Sequence, residues 1–591
     1  VVRSALVVGA AGWWRVLGSP SLVVMLLSIS SRSSQALLLT TLVALATPAA
    51  AQQPLPLKYK GPMTTPAISA GDLMTRLYVY ADDSMMGRRF GTEDNIRATA
   101  YIEREVRRLG LRPGGDNGTF FQNLSTYGRM LDRASTASAG GAALVVGKDL
   151  TGNQIGNRTG TAIYGGMRGD SVTPEQIKGK VVVVTTPLAS GAAGRGPISP
   201  ALYAGAAALV MVGPATLPAM AVNARVTETP NTLVGAAVAE TSPLQLTITP
   251  RVAELLFGKP IEQVAKGTEG AVLAANINFT AAPVPTRNVV AILPGTDPTL
   301  KSQYVLIGAH NDHVGYNNRP ADHDSLKAFA EVFLIQGADS RPSPDALKDP
   351  VKWAMVNGKI AAARRIRTAP RADSIYNGAD DDGSGSVTVL EVAEAFAKGV
   401  IKPKRSVIFI WQTGEESGMI GSGYFVDHPT VPRDSIVAAV NMDMVGRGFA
   451  SDVTGSTKAG GLIYGGAGYL QLVGSRRLSK EYGDLVESVN TDKKHGFTFD
   501  YEIDADGHPQ NIYCRSDHWS YAKYGIPVVF FTTGGHSDYH QVTDEPQYIN
   551  YGHMADVAKL SFDVVLRAAN LDHRVKLDKE GPFNPKASCR Q

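Results

Sequence analysis

Cysteine is nearly missing from this chain: Cys514 and Cys589 are the two present in 591 residues. Two cysteines exclude a disulfide framework, and they lack the spacing of a thiolate zinc site, although in an oxidising compartment they could pair. Charge is also sparse. Charged residues make up 19% of the chain and the net charge is +4, which leaves little footprint for an acidic or basic partner. The densest basic run, "ARRIRTAPR" at 363–371, has no interleaved aromatics. It reads as a solvated helix face and not as a nucleic-acid surface. Long apolar runs are absent after residue 52, so no later segment reaches the ~20 residues a membrane span needs.

Before residue 52 the texture differs. "ALLLTTLVALA" (36–46) has the length of a signal-peptide core, Arg32 precedes it, and Ala49-Ala50-Ala51 follows as an A-x-A cleavage site. Residues 1–51 are therefore expected to be a targeting segment. Met25 would open a signal peptide of ordinary length, so 1–24 read as a mis-assigned start. "SLVVMLLSI" adds a second apolar run, but Ser31–Gln35 separates the two and neither spans a bilayer alone. The expectation is an exported protein, periplasmic or secreted, with no stable membrane span after cleavage.

Apolar residues make up 44% of the chain, enough for more than one core at this length. Residues 52–66 form a Pro-rich leader. "NIRATAYIEREVRRLG" (95–110) places Ile102, Val106 and Leu109 on one helical face and stops at a glycine. From 135 to 282 the chain is rich in Gly, Ala, Val and Thr. Short β-like runs such as "KVVVVTT" recur there, without any cluster of His, Asp or Glu.

A different grammar begins at Arg287. "NVVAILPG", "QYVLIGAH", "RSVIFIWQT", "IVAAVNMDM" and "IPVVFFTTG" are continuous apolar runs of strand length, with helical patterns such as "VTVLEVAEAFAKG" between several of them. Unbroken apolarity means burial on both faces, and so a mostly parallel α/β sheet sandwiched by helices. Such sheets place ligands beyond the carboxyl ends of their strands. There the sequence has His310, Asp312 and His313 after one run, Glu415 and Glu416 after another, then Asp443, and finally His540. Asp380, Asp381 and Asp382 precede the helix that starts near Ser384.

Taken singly, these features have ordinary explanations: a solvated Glu pair, a hydrogen-bonded His and Asp, acidic residues at a helix start. Together, at successive strand ends, they describe a metal centre. Imidazole and carboxylate donors suit zinc, with manganese or cobalt as substitutes. The groups outnumber what one tetrahedral ion needs, and a pair of ions sharing a carboxylate would use them all. Glu415 and Glu416 point in different directions, so one can bind metal while the other acts as a general base.

At these residues the sequence resembles the co-catalytic dinuclear zinc aminopeptidase family, which includes bacterial leucyl aminopeptidases, glutamate carboxypeptidase and the non-enzymatic transferrin receptor. The motifs are "GAHNDHVG", "NGADDDGSG", "TGEESGMIGS", "NMDMVG" and "SDHWSYAKYGIP…DYHQVTDEP". The resemblance implies a zinc exopeptidase domain over 283–572, with 67–134 as its N-terminal part. It also implies a protease-associated domain inserted at 135–282 and a tail at 573–591. It implies His310, Asp381 and Asp443 as ligands of one Zn2+ ion, and Asp381, Glu416 and His540 as ligands of a second, with Asp381 bridging. Glu415 becomes the general base, Asp312 the group that orients His310, and Tyr539 an oxyanion stabiliser. His313, His518 and His536 become pocket or structural residues. Met86-Gly87-Arg88 and Arg515-Ser516-Asp517 resemble positions near the substrate cleft. A cis peptide is implied between Asp381 and Asp382.

The implied function is an aminopeptidase acting on peptides with a free N-terminus. The alternatives are a dipeptidase or carboxypeptidase, which needs a cationic patch, a single-zinc cyclase of N-terminal glutamine, and a binding protein without activity. One departure stands out. Between His310 and Asp381 the family has a short loop, whereas here 311–380 intervenes. "SLKAFAEVFLIQGADS" and "DALKDPVKWAMVNGKIAAARRIRT" read as two helices within an insert at about 318–370. The insert is expected to be a lid, a surface decoration or a dimer contact.

Overall fold

A computed structural model describes residues 55–578, apart from 168–172, 186–199, 218–222 and 367–368, together with 581, 583–586 and 588–591. The apolar run at 36–46 and its cleavage site lie outside the described residues. Among the described residues no helix is long and apolar enough to cross a membrane.

The apolar runs form a nine-stranded sheet. At its centre Ser406–Gln412, Tyr304–His310, Ile436–Met442 and Val528–Thr532 lie side by side and parallel. The flanks are mixed. Arg287–Leu293 runs antiparallel to Ser406–Gln412, and Tyr469–Val473 antiparallel to Val528–Thr532. The parallel arrangement expected for the sheet therefore holds in its core, where the candidate site residues originate, and gives way at the edges.

Successive residues of each strand serve opposite faces. Val289, Ile307 and Phe409 enter one core with the helices Gly385–Lys398 and Tyr551–Asn570. Val290, Leu306 and Ile408 enter another, with Phe425 and Tyr521. Both faces are covered, which is why the strands carry no polar alternation. The helix expected at 95–110 is Glu93–Leu109, closed by Gly110 in the left-handed conformation.

Residues 136–277 supply an eight-stranded sheet with its own core around Val183, Leu246 and Leu273. The chain enters and leaves this region through Thr126–Leu131 and Phe279–Pro283, which pair antiparallel. Ordered β-structure thus begins before residue 135. Cys514 and Cys589 form a disulfide, so the end of the chain is fastened beside the main sheet.

The insert holds two helices, His323–Phe333 and Pro350–Ile366, rising from the antiparallel pair Tyr316–Asp322 and Ala372–Ile375. Its small core is Ala328, Val332, Phe333 and Val356, with Trp353 5.3 Å from Phe333 ring to ring. Of the basic run at its end, Arg365 is exposed as a solvated face would be, whereas Arg364 and Arg371 are paired. Arg364 pairs with Asp324 at 2.8 Å, and Arg371 clasps Glu545 through both of its terminal nitrogens. Arg364 ties the insert's second helix to the start of its first, and Arg371 fastens the end of the insert to the segment that carries Glu545.

Candidate metal centre

The four parallel strands end at one edge, and the expected ligands gather there. His310 closes its strand and is buried. Its Nδ1 donates to the backbone carbonyl of Asp312 at 3.1 Å. That bond turns Nε2 inward, where it is buried without a hydrogen-bond partner. Asp312 therefore orients His310 chiefly through its carbonyl, since its carboxylate stands 3.7 Å from the ring nitrogen. The same carboxylate accepts the Glu415 N–H at 3.1 Å, so one residue positions both His310 and the start of the Glu415-Glu416 pair.

Asp381 lies between two donor sets. Its Oδ1 is 3.1 Å from His310 Nε2, and Asp443 stands 3.7 Å from that same nitrogen. Its Oδ2 is 2.9 Å from His540 Nε2, which is also 2.9 Å from Glu416. One carboxylate therefore faces His310 and Asp443 with one oxygen, and His540 and Glu416 with the other. The peptide between Asp381 and Asp382 is cis, as the resemblance implies.

The flanking aspartates are occupied elsewhere. Asp382 accepts the N–H groups of His310 and Gly385, at 3.0 and 2.9 Å, so both of its oxygens are engaged although the residue lies close to His310 and Asp443. Asp380 accepts from Ser384 Oγ and the Gly446 N–H, and His536 stands 3.1 Å from its other oxygen. His313 sits 2.7 Å from Glu416, where it steadies that carboxylate. His518 stacks on Phe530 at 4.9 Å and lies in the core beneath the site.

The electrostatics match this reading. Burial opposes a charge on His310, but the nearby carboxylates of Asp312, Asp381 and Asp443 outweigh that and hold its pKa well above the ordinary histidine value. His540, also opposed by burial, is raised to about 10 by Asp381 and Glu416. Burial, reinforced by Asp443 and Glu416 and opposed by His310, pushes the Glu415 carboxyl well above its range. Among the described residues, Asp381, Glu416 and Asp443 have ion-pair contacts with histidines and with no Lys or Arg. Three carboxylates with histidines and no Lys or Arg beside them, together with a buried imidazole nitrogen that has no hydrogen-bond partner, fit a divalent metal centre.

A third acidic cluster, His323, Asp373 and Glu545, has the spacing of a metal site. It already holds a cation, because both Glu545 oxygens are taken by Arg371. It is an ion-pair anchor for the insert.

Several supports were not apparent from sequence. Ser516 donates to Asp443 at 2.6 Å and accepts from Asn441. Asp544, buried, accepts the N–H groups of Asp380 and Asp381 at 3.0 and 3.1 Å. Arg88 donates to the carbonyls of Asn377 and Gly378, so it braces the loop leading to Asp381 and does not enter the cleft. Asp544 stands inside the quoted "TDEP" motif, but nothing in a sequence says which backbone amides a carboxylate will meet.

Residues 288–565 match the sequence pattern of Peptidase family M28. The match covers just under half of the 591 residues. The chain is 30% identical over 206 residues to leucine aminopeptidase 1 of Aspergillus fumigatus, covering 32% of this chain and 47% of that protein. It is 29% identical over 178 residues to leupeptin-inactivating enzyme 1 of Streptomyces exfoliatus, covering 30% of this chain and 33% of the relative. The matched part thus spans about half the length of the first of these curated relatives, and a third of the second. Among solved structures, a zinc aminopeptidase from Bacillus subtilis has 16% identity and a TM-score of 0.46, covering 85% of this chain and 95% of that one.

Proposed function

We propose that this protein is a peptidase of family M28, an exported zinc-dependent exopeptidase of the aminopeptidase kind that removes N-terminal residues from peptides. The observation that carries the reading is the two-sided placement of Asp381, 3.1 Å from His310 on one oxygen and 2.9 Å from His540 on the other. In this reading His310, Asp381 and Asp443 hold one ion, and Asp381, Glu416 and His540 the second. Zinc held there supplies electrophilic polarisation of the scissile carbonyl and a water of lowered pKa.

The chain's own residues do the rest. Glu415 takes a proton from the attacking water at its carboxylate and returns it to the leaving amine. The Asp312 carboxylate accepts the Glu415 backbone N–H and its carbonyl accepts from His310 Nδ1, so it fixes both residues. Tyr539 lines the cleft, its hydroxyl 3.3 Å from Arg515, and offers a donor to the developing oxyanion. A carboxypeptidase would need a free cation for the substrate carboxylate. Arg515, the cation lining this cleft, is already paired with Asp339 at 2.7 Å, which favours the aminopeptidase.

Export is supported by the signal-like segment at 36–46 and by the Cys514–Cys589 disulfide. We assign the eight-stranded sheet of 136–277 to an inserted protease-associated domain, and 283–572 with 67–134 to the peptidase domain. The test is hydrolysis of aminoacyl-p-nitroanilides by the purified protein, with and without a chelator, and by Glu415→Ala. Activity that survives complete metal removal refutes the zinc mechanism. Absence of hydrolysis of any peptide with a free amino or carboxyl end returns the chain to the binding-protein class.

A further inference from the structure

The cleft beside Asp443 and Tyr539 has room of about 80 Å3 for the centres of water-sized occupants and opens to solvent. Its inner end is formed by Ile503, Ile512 and Phe530. Its outer wall comes from the insert. Gln336 and Asp339, sixteen or more residues into a segment with a fold of its own, both line the cleft.

This wall is fixed in place. The Ala338 N–H donates to the Tyr539 carbonyl at 2.9 Å. Gly337 is buried at φ +52°, and a Cβ there would lie 2.3 Å from that same carbonyl oxygen. The segment approaches Tyr539 as closely as backbone can, and only glycine permits it. Behind the tip, Lys327 of the insert reaches the buried Asp538 at 2.6 Å. A lid that swings would have to break all of these contacts at once.

The wall's chemistry is neutral. Gln336 Oε1 accepts from Gln510 Nε2 at 2.9 Å, and Gln510 Oε1 accepts the Ser456 N–H at 3.3 Å. At the mouth, Asp339 and Arg515 neutralise each other. A charged side chain entering here would lose its water and find amides already bonded to one another. An uncharged side chain would meet the apolar inner end and lose nothing comparable.

We infer that the insert tip Gln336–Asp339 is the outer wall of the pocket for the substrate's N-terminal side chain. It restricts the enzyme to peptides with an uncharged N-terminal residue, and Gln336 sets the largest size admitted. The inference rests on the aminopeptidase reading and adds the substrate class. Gln336 acts here by volume, as a specificity-determining residue and not as a participant in the chemistry.

The experiment measures kcat/KM of the zinc-loaded full chain on leucyl, tryptophyl, lysyl and aspartyl p-nitroanilides, for wild type, Gln336→Ala and Gln336→Met. Wild type is expected to favour leucyl over lysyl and aspartyl substrates by at least roughly tenfold, and Gln336→Ala to raise the tryptophyl-to-leucyl ratio by roughly tenfold. Gln336→Met, of similar volume, should keep the wild-type ratio. Equal turnover of leucyl and lysyl substrates overturns the class. An unchanged ratio in Gln336→Ala, or the same shift in both variants, overturns the wall. Melting temperatures establish that the variants are folded. If wild type hydrolyses nothing, the peptidase reading has failed, and the pocket is judged by calorimetric titration of L-leucine, L-tryptophan and L-lysine. Leucine binding with tryptophan gained in Gln336→Ala upholds the wall, and equal lysine binding or an unmoved ranking overturns it.

Discussion

Asp544 offers the sharpest test of how the centre is held. Its carboxylate accepts two backbone N–H groups, those of Asp380 and Asp381, and its own carbonyl accepts the Ala379 N–H at 3.1 Å. Asp544→Ala keeps the carbonyl bond and removes the other two. Hydrogen bonds to a charged group contribute roughly 1.5–3 kcal/mol each, so the loop should lose on the order of 3–6 kcal/mol of support. A second effect runs the other way. Asp544 is one more buried carboxylate beside Asp380 and Asp381, and without metal its removal relieves repulsion. The metal-free protein should therefore lose less stability than the two bonds suggest. Zinc held as proposed would cancel that repulsion, so the loss of positioning would show there in full. Removing such an outer support costs about 10–100-fold in metal affinity. At a fixed excess of metal, this cuts zinc-induced stabilisation by about 1.4–2.8 kcal/mol. Competition with a chromogenic chelator and urea midpoints with and without zinc measure both quantities. Asp544→Asn, which keeps one acceptor oxygen, should fall between. A folded Asp544→Ala that holds zinc at wild-type affinity would refute this account of how Asp381 is positioned.

Other perturbations test separate parts. Asp538 is buried between Lys327 and Arg447, each within 2.7 Å; Asp538→Ala leaves Arg447 without that partner and should cost about 3–5 kcal/mol in urea unfolding. His518 is buried and its pKa is lowered from 6.5 to about 3 by desolvation. The unfolded chain then takes a proton near 6.5 that the folded chain refuses, so stability falls as pH drops from about 6.5 toward 3. Between pH 7 and pH 5 that loss is on the order of 2 kcal/mol, and His518→Gln should flatten the slope measured in chelator. Cys514→Ser opens a loop of sequence separation 75 and should lower stability by about 2–4 kcal/mol. Because Ile512 and Arg515 line the cleft beside that bond, its KM should rise as well.

Much of the centre was legible because the chemistry sits at fixed places on a simple pattern. A strand buried on both faces announces itself as an unbroken apolar run, and the residue after it stands at the sheet edge. His310 and Asp443 follow from that alone. The middle aspartate needed a motif, since three adjacent carboxylates look alike in sequence and differ only in what reaches them. The antiparallel flanks were hidden because an apolar strand reads the same in either direction. The two helices of the insert could be read from periodicity, but periodicity does not name a partner. Arg364 and Arg371 look like surface charge until the carboxylates of other segments come within 3 Å.

The three aspartates illustrate how a run of like charges becomes stable by division of labour. Asp380 spends its oxygens on Ser384, Gly446 and His536, and so fixes the start of the buried helix. Asp382 spends its own on the N–H groups of His310 and Gly385, tying that helix to a strand end. With both neighbours committed to other partners, Asp381 is left with its two oxygens directed at His310 and His540. No side chain of Lys or Arg joins it among the described residues. The flanking carboxylates therefore do more than tolerate the middle one: by anchoring the loop on both sides they determine which way it points. A change at Asp380 or Asp382 should accordingly weaken metal binding without removing a ligand, and Asp382→Asn, which retains shape but loses charge, should show it most cleanly in a zinc titration.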